Sequence, residues 1–122
     1  MSKQTEELVV GYANDEGSVS DTTTNAYTNA LDLDTRGAKG MSAVVKNTHG
    51  TNSLDYRLRA RAANYSGGVD EEIPEAPSEA TLGPGEKGLL TLLRAYSRVK
   101  IQVKSTVADS HATYTIDYLT NG

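Results

Sequence analysis

"YSRVKIQVKSTV", residues 96–107, alternates without a break: Val99, Ile101 and Val103 on one side, Lys100, Gln102 and Lys104 on the other. A period of two is the signature of a half-buried strand, with one face on the core and one in solvent. Working outward, "LDYRLRARA" at 54–62 repeats the pattern with stronger chemistry. Leu54, Tyr56, Leu58, Ala60 and Ala62 occupy one face, and Arg57, Arg59 and Arg61 the other. "NAYTNALDLD" (25–34) reads as a strand with Tyr27, Leu31 and Leu33 together on one face, and "MSAVVKNT" (41–48) follows it after the glycine-containing turn "TRGAKG". "HGTN" (49–52) reads as a hairpin loop. "TLGPGEKGLLTLL" (81–93) holds the turn pair Pro84-Gly85 between two short strands, and "ATYTIDYLT" (112–120) is the last strand, after the turn "ADSH". A turn of helix over "LLTLLRAY" (89–96) is the alternative there, and Gly88 and the β-rich flanks favour strand.

Six to eight strands, many at regular spacing, predict an all-β fold: an antiparallel β-sandwich, Ig-like or jelly-roll-like. The chain has 122 residues, enough for one domain. We expect a polar N-terminal arm over 1–24, extended or flexible, and a sandwich over 25–122. "SGGVDEEIPEAPSEA" (66–80), with two glycines, two prolines and five carboxylates, reads as an exposed loop.

Composition excludes several function classes. There is no cysteine, so thiol catalysis, disulfides and cysteine-ligated metal are closed to the chain. The net charge of -4 argues against a general nucleic-acid binder. No apolar run approaches a signal peptide or a membrane span, so we expect no membrane partner and synthesis in a cytoplasm. Trp and Phe are absent, leaving seven tyrosines to supply all aromatic packing.

The chemistry-bearing residues are sparse. His49 and His111 both fall in turns, and nothing in the sequence places a nucleophile beside either. Asp32, Asp34, Asp55 and Asp117 lack the ordered spacing of a calcium loop. "LGPGEKG" (82–88) lacks phosphate-loop spacing and reads as a β-turn. "NYS" (64–66) matches a glycosylation acceptor by three residues only. No catalytic residue, cofactor or metal follows from any of these.

The arginine stripe is the most unusual feature. Arg57, Arg59 and Arg61 share a side, and Lys100 and Lys104 point outward from a second strand. If the two strands are neighbours, one sheet face is basic. Like charges across strands repel, so something acidic is expected opposite, with the carboxylates of 70–79 as in-chain candidates. Three readings are open: a solvated face covered by arginine stems, a protein interface, and nucleic-acid binding, the last disfavoured for want of stacking aromatics. The candidate interface residues are Arg57, Arg59, Arg61, Lys100 and Lys104.

The segment "EATLGPGEKGLLTLLRAYSRVKIQVKSTVADSHATYTIDYLTNG" (79–122), with "LDLDTRGAKGMSAVVKNTHGTNSLDYRLRA" before it, resembles the small β-sandwich structural proteins of tailed phages and related viruses. The shared pattern is a short strand, a Leu-x-Pro-Gly-Glu turn, a strand, the alternating "YSRVKIQVKS" and a closing "ATYTIDY". It covers roughly 25–122. The resemblance implies a virion component, a capsid decoration or a tail or fibre part, with no catalytic residues. Its partners would be other virion proteins, the major capsid protein first, and further copies of itself. The alternative is a carbohydrate-binding or adhesion module, whose sugar platform would have to be built from tyrosines.

Overall fold

The computed structural model describes residues 15–36, 38–61, 71–72, 80–92 and 96–121. These form nine strands: β1 (Glu16–Thr22), β2 (Thr28–Asp34), β3 (Gly40–Asn47), β4 (Leu54–Arg61), β5 (Glu71–Glu72), β6 (Ala80–Leu82), β7 (Lys87–Leu92), β8 (Arg98–Ser105) and β9 (Thr113–Asn121). They make two antiparallel sheets. The first runs β1-β9-β3-β7, and the second runs β2-β8-β4, with β5 and β6 both on the far side of β4.

The pairing has a simple logic. β1 pairs with β9, β2 with β8, β3 with β7, and β4 with β5 and β6. Each strand of the first half meets its mirror image in the second half, as in one long hairpin rolled over on itself. The roll adds β9 to β3 and β8 to β4. This is a jelly roll, the second of the two sandwich types that the alternation allows. It corrects the reading of 49–52 as a hairpin loop. β3 and β4 lie in different sheets, so His49–Asn52 is a corner between layers. A turn signal marks a reversal of the chain and not the sheet in which the next strand lands.

Period two fills the space between the sheets. Val45, Leu54, Ile101, Val103 and Ile116 have no exposed surface, and Leu58 and Val99 have almost none. Leu31, Ile101 and Leu58 form one cross-strand row of the second sheet, and Leu33, Val99 and Ala60 the next. In the first sheet, Val19, Ile116 and Val45 stand in line with Gly88. Burying a Leu, Ile or Val side chain is worth about 1.5–3 kcal/mol, so these rows hold the register.

Residues 16–22, which the sequence reading assigned to the arm, form β1 and pair along their length with β9. The polar string "EGSVSDT" conceals a strand because Val19 is its single apolar residue. The ring of Tyr118 covers the core side of Gly17 in place of a second one. Glu71 and Glu72, expected in a loop, make a two-residue strand on β4.

Two glycines are required by geometry. Gly85 has φ of 78°, and Glu86 N donates to Gly83 O at 3.0 Å, so Gly83–Glu86 is a type II turn with Pro84 and Gly85 at its centre. Gly88 lies under Tyr56, which reaches across the core from β4. A Cβ added at Gly88 would sit 2.9 Å from the ring carbon Cζ and closer still to the hydroxyl. We therefore expect Gly88→Ala to push a buried ring out of place and cost about 1–3 kcal/mol. Urea unfolding would measure it, with Tyr56→Phe in the same chain recovering part of the loss.

Candidate functional site

The outer face of the second sheet carries the site that the sequence singled out. Register places Arg57 opposite Gln102, Arg59 opposite Lys100, Arg61 opposite Arg98, and Asp55 opposite Lys104. The stripe of β4 thus meets the cations of β8, as the neighbouring-strand condition required. The third strand supplies the acids. Asp32 stands opposite Lys100 and Asp34 opposite Arg98. On the other side Glu72 is in register with Arg59. One row therefore reads Asp32, Lys100, Arg59, Glu72, with two cations flanked by two carboxylate positions.

The contacts order these groups. Arg98 grips Asp32 with both arms, at 2.6 and 2.5 Å. Asp34 accepts from the Arg36 guanidinium at 2.9 and 2.6 Å. The Gln102 amide links two strands, donating to Asn29 Oδ1 at 2.9 Å and accepting from Arg57 Nε at 2.7 Å. Asp55 accepts from Thr81 and Thr106 at 2.8 and 2.7 Å and lies 3.9 Å from Lys104 Nζ. Exposed pairs of this kind contribute roughly 0.2–1 kcal/mol each and gain most by fixing side chains in place. Lys100 is only 9% exposed, its stem lying among its neighbours.

Sequence reasoning missed one residue here. Strict alternation put Tyr27 on the face of Leu31 and Leu33. β2 has a bulge between Asn29 and Leu31, and the extra residue, Ala30, shifts everything before it by one place. Tyr27 consequently lies on the outer face. The Arg57 guanidinium stacks on its ring at 4.0 Å from the centroid, with Lys104 Nζ at 5.4 Å. A cation over a tyrosine face gains about 0.5–1 kcal/mol at an exposed site. No signal within residues 25–34 announces the bulge; only the partner strand reveals it.

The histidines lie elsewhere, at the end of the sandwich formed by the β3–β4 and β8–β9 connections. Asn47, fully buried, donates to Asn52 O and Leu82 O and accepts from His49 N. His49 Nδ1 accepts from Thr51 N at 3.1 Å and Asn52 N at 2.9 Å. Asn52 in turn donates to His111 O. A hydroxyl the sequence did not bring to mind stands beside His111: Ser105 Oγ is 2.8 Å from His111 Nδ1 and 2.8 Å from Thr23 Oγ1. Ala112 N donates to Thr23 Oγ1, so the Thr23 hydroxyl is bonded on both sides. Ser105 is 3% exposed, and this hydroxyl–imidazole pair ties the β1–β2 connection to the end of β8 and the β8–β9 connection. Among the described residues no group of three or more His, Cys, Asp or Glu could hold a metal ion.

The five described tyrosines are all buried or half-buried and offer no exposed sugar platform. Tyr56 and Tyr114 are core residues at 4% exposure, and Tyr27, Tyr96 and Tyr118 are half-buried. Tyr12 and Tyr65 lie outside the described residues, as does the "NYS" triplet.

No family model and no curated protein matches this sequence. Solved structures match by fold. The SPBc2 prophage-derived protein YomS aligns at a TM-score of 0.57 with 10% identity, over 88% of this chain and 95% of that one. The pilus protein of Bacillus endospore appendages, described as a novel family of disulfide-linked pili, aligns at 0.54 with 13% identity, over 89% and 88%. The Yersinia pseudotuberculosis-derived mitogen also aligns at 0.54 with 13% identity, over 89% and 87%. At these identities the likeness shows the fold alone. The chain does resemble small β-sandwich proteins, a prophage protein among them, and it does so over nearly its whole length.

Burial raises the pKa of Tyr56 above its ordinary value, and burial followed by the Asp21 charge raises that of Tyr114. Above about pH 10 the unfolded chain releases phenolic protons that the folded chain retains. The stability from these two groups is complete below that pH and is lost as the pH climbs through their folded values. We expect the urea midpoint to fall on going from about pH 9 to about pH 11, and Tyr114→Phe to flatten that fall.

Proposed function

We propose that this chain is a non-enzymatic structural protein of a virus particle, held to neighbouring subunits by the outer surfaces of its jelly roll. The end-to-end match to a prophage-derived protein carries the reading: 88% of this chain and 95% of that one superpose. A pilus protein with the same fold at nearly full length supports assembly as the broader role. That pilus is disulfide-linked by its description. Without cysteine, this chain cannot be linked by disulfides in that way.

The partner face in this reading is the charged ladder of the second sheet. Arg57, Arg59, Arg61, Lys100 and Lys104 are half-buried or nearly buried and already ordered, so docking would cost little side-chain entropy. Planar guanidinium groups in fixed positions suit bidentate recognition of carboxylates on a capsid or tail protein. Tyr27 adds a rigid aromatic group to the same surface. The Tyr27–Arg57 stack lies at one end of the stripe, with Arg59 and Arg61 further along β4.

In lysates of its native source we expect the chain to co-sediment with assembled particles at low ionic strength and to be released at high salt, where the screening length shrinks to roughly 3 Å at 1 M. Arg59→Glu with Arg61→Glu should release it at low salt too. Recovery only in the soluble fraction, at every salt concentration, would overturn the reading.

A further inference from the structure

The two sheets treat their edges differently. The second sheet ends on one side in β2, interrupted by the Ala30 bulge and carrying Asp32 and Asp34. Its other side ends, among the described residues, in strands of two and three residues. Bulges, charges and short strands are the usual defences against edge-to-edge pairing. Among the described residues the first sheet has neither a bulge nor a very short strand at its edges, and the charges of those edges lie toward the strand ends. It ends in β1, seven residues, and β7, six residues, both in unbroken register with their inner neighbours. Leu89, in the middle of β7, is 71% exposed, the most exposed large apolar residue described. It faces outward beside Val44.

We infer that these two edges join to each other, the β7 edge of one copy receiving the β1 edge of the next. Strand direction allows it. β1 is antiparallel to β9, β9 to β3 and β3 to β7, so β7 runs opposite to β1 and the new seam is antiparallel. Hydrogen-bond parity allows it as well. Thr23 N donates to Ala112 O, so the odd-numbered residues of β1 bond inward, and Ser18 and Ser20 turn their N–H and C=O to the open edge. Asn47 N donates to Glu86 O, so the even-numbered residues of β7 bond inward, and Lys87, Leu89 and Thr91 turn theirs outward. All these edge residues have side chains on the outer face, so pairing them keeps outer beside outer and core beside core. With Leu89 opposite Ser20, Thr91 meets Ser18 and Leu90 meets Val19.

Charge selects this pairing over like-with-like. From Asp15 to Thr22 there are three acids, Asp15, Glu16 and Asp21, and no base. From Lys87 to Leu92 there is one base and no acid. A β1–β1 seam brings acids together, whereas a β7–β1 seam sets Lys87 opposite Thr22 and Asp21 opposite Gly88, with no two acids in register. The contact is head-to-tail, so copies add in an open row. This deepens the proposed function by giving its particle protein a self-assembly surface distinct from the charged ladder.

Light scattering of the purified chain and two edge variants tests it. Leu89→Pro removes an N–H that faces the open edge of β7, and Ser20→Pro does the same on β1; neither residue donates to the inner ladder. Wild type should give masses above 13.0 kDa that grow with concentration. Each variant alone should remain at 13.0 kDa. Mixed in equal amounts they should stop at twice that mass, because one free β1 and one free β7 remain between them. Circular dichroism melts confirm folding, and Leu89→Glu, which sets a carboxylate against the acidic β1 edge, should weaken the seam without a backbone change. A Ser20→Pro dimer on its own would overturn the head-to-tail seam. Growth unaffected by any variant would overturn edge pairing and leave the particle assignment standing. A monomeric wild type that still co-sediments with particles would have the same meaning.

Discussion

Ile101 sits fully buried at the centre of β8, with Leu31 on one side and Leu58 on the other. The rest of the second sheet depends on that row. Side chains alternate strictly along a strand, so a slip of β8 by one place would put Val99, Ile101 and Val103 in water and Arg98, Lys100 and Lys104 in the core. Once Ile101 is opposite Leu58, Lys100 has to be opposite Arg59 and Arg98 opposite Arg61. The repulsion between those cations is small beside the burial that forces it. Asp32 and Asp34 stand on the far side of β8, and Glu72 is in register beyond Arg59.

The same constraint separates the roles of the two sheets. Charge and hydrogen bonds dominate the outer face of the second, where Arg57 is committed to Gln102 and Tyr27 and Arg98 to Asp32. Its surface is stiff, and its edges are bulged or short. The first sheet presents Ser and Thr with Leu89, Val44 and Leu119 among them, and its edges are long and regular. A molecule built this way has one face suited to an ordered polar contact and two edges suited to backbone pairing. Neither can involve a disulfide, since the chain has no cysteine.

Buried polar groups at the sandwich end complete the architecture. Asn47 satisfies two carbonyls and one amide from the β3–β4 connection and β6, and the Thr23–Ser105–His111 chain joins the β1–β2 connection to the end of β8 and the connection after it. Such groups are costly if left unpaired, so they fix where the corners turn. They explain why both histidines, read from sequence as simple turn residues, are tied into the fold. They also show why a hydroxyl beside an imidazole need not signal catalysis: chain order hides the contact, and burial removes its access.

Alternation alone identified the strands around Val99–Val103, Leu54–Ala60 and Tyr114–Tyr118, the turn at Pro84-Gly85, and the common side of the three arginines. These features are local, each set by a few neighbouring residues and by backbone geometry. The sequence likewise ruled out cysteine chemistry. It did not reveal the strand order, so the corner at His49–Asn52 passed for a hairpin. Nor did it reveal β1, whose polar residues make sense only against β9. Tyr27 is the sharpest case. One inserted residue, Ala30, moves its ring from the core side to the charged face, and the insertion exists only relative to β8. Register and edge exposure are properties of pairs of strands far apart in the chain, and the tertiary structure alone brings those pairs together.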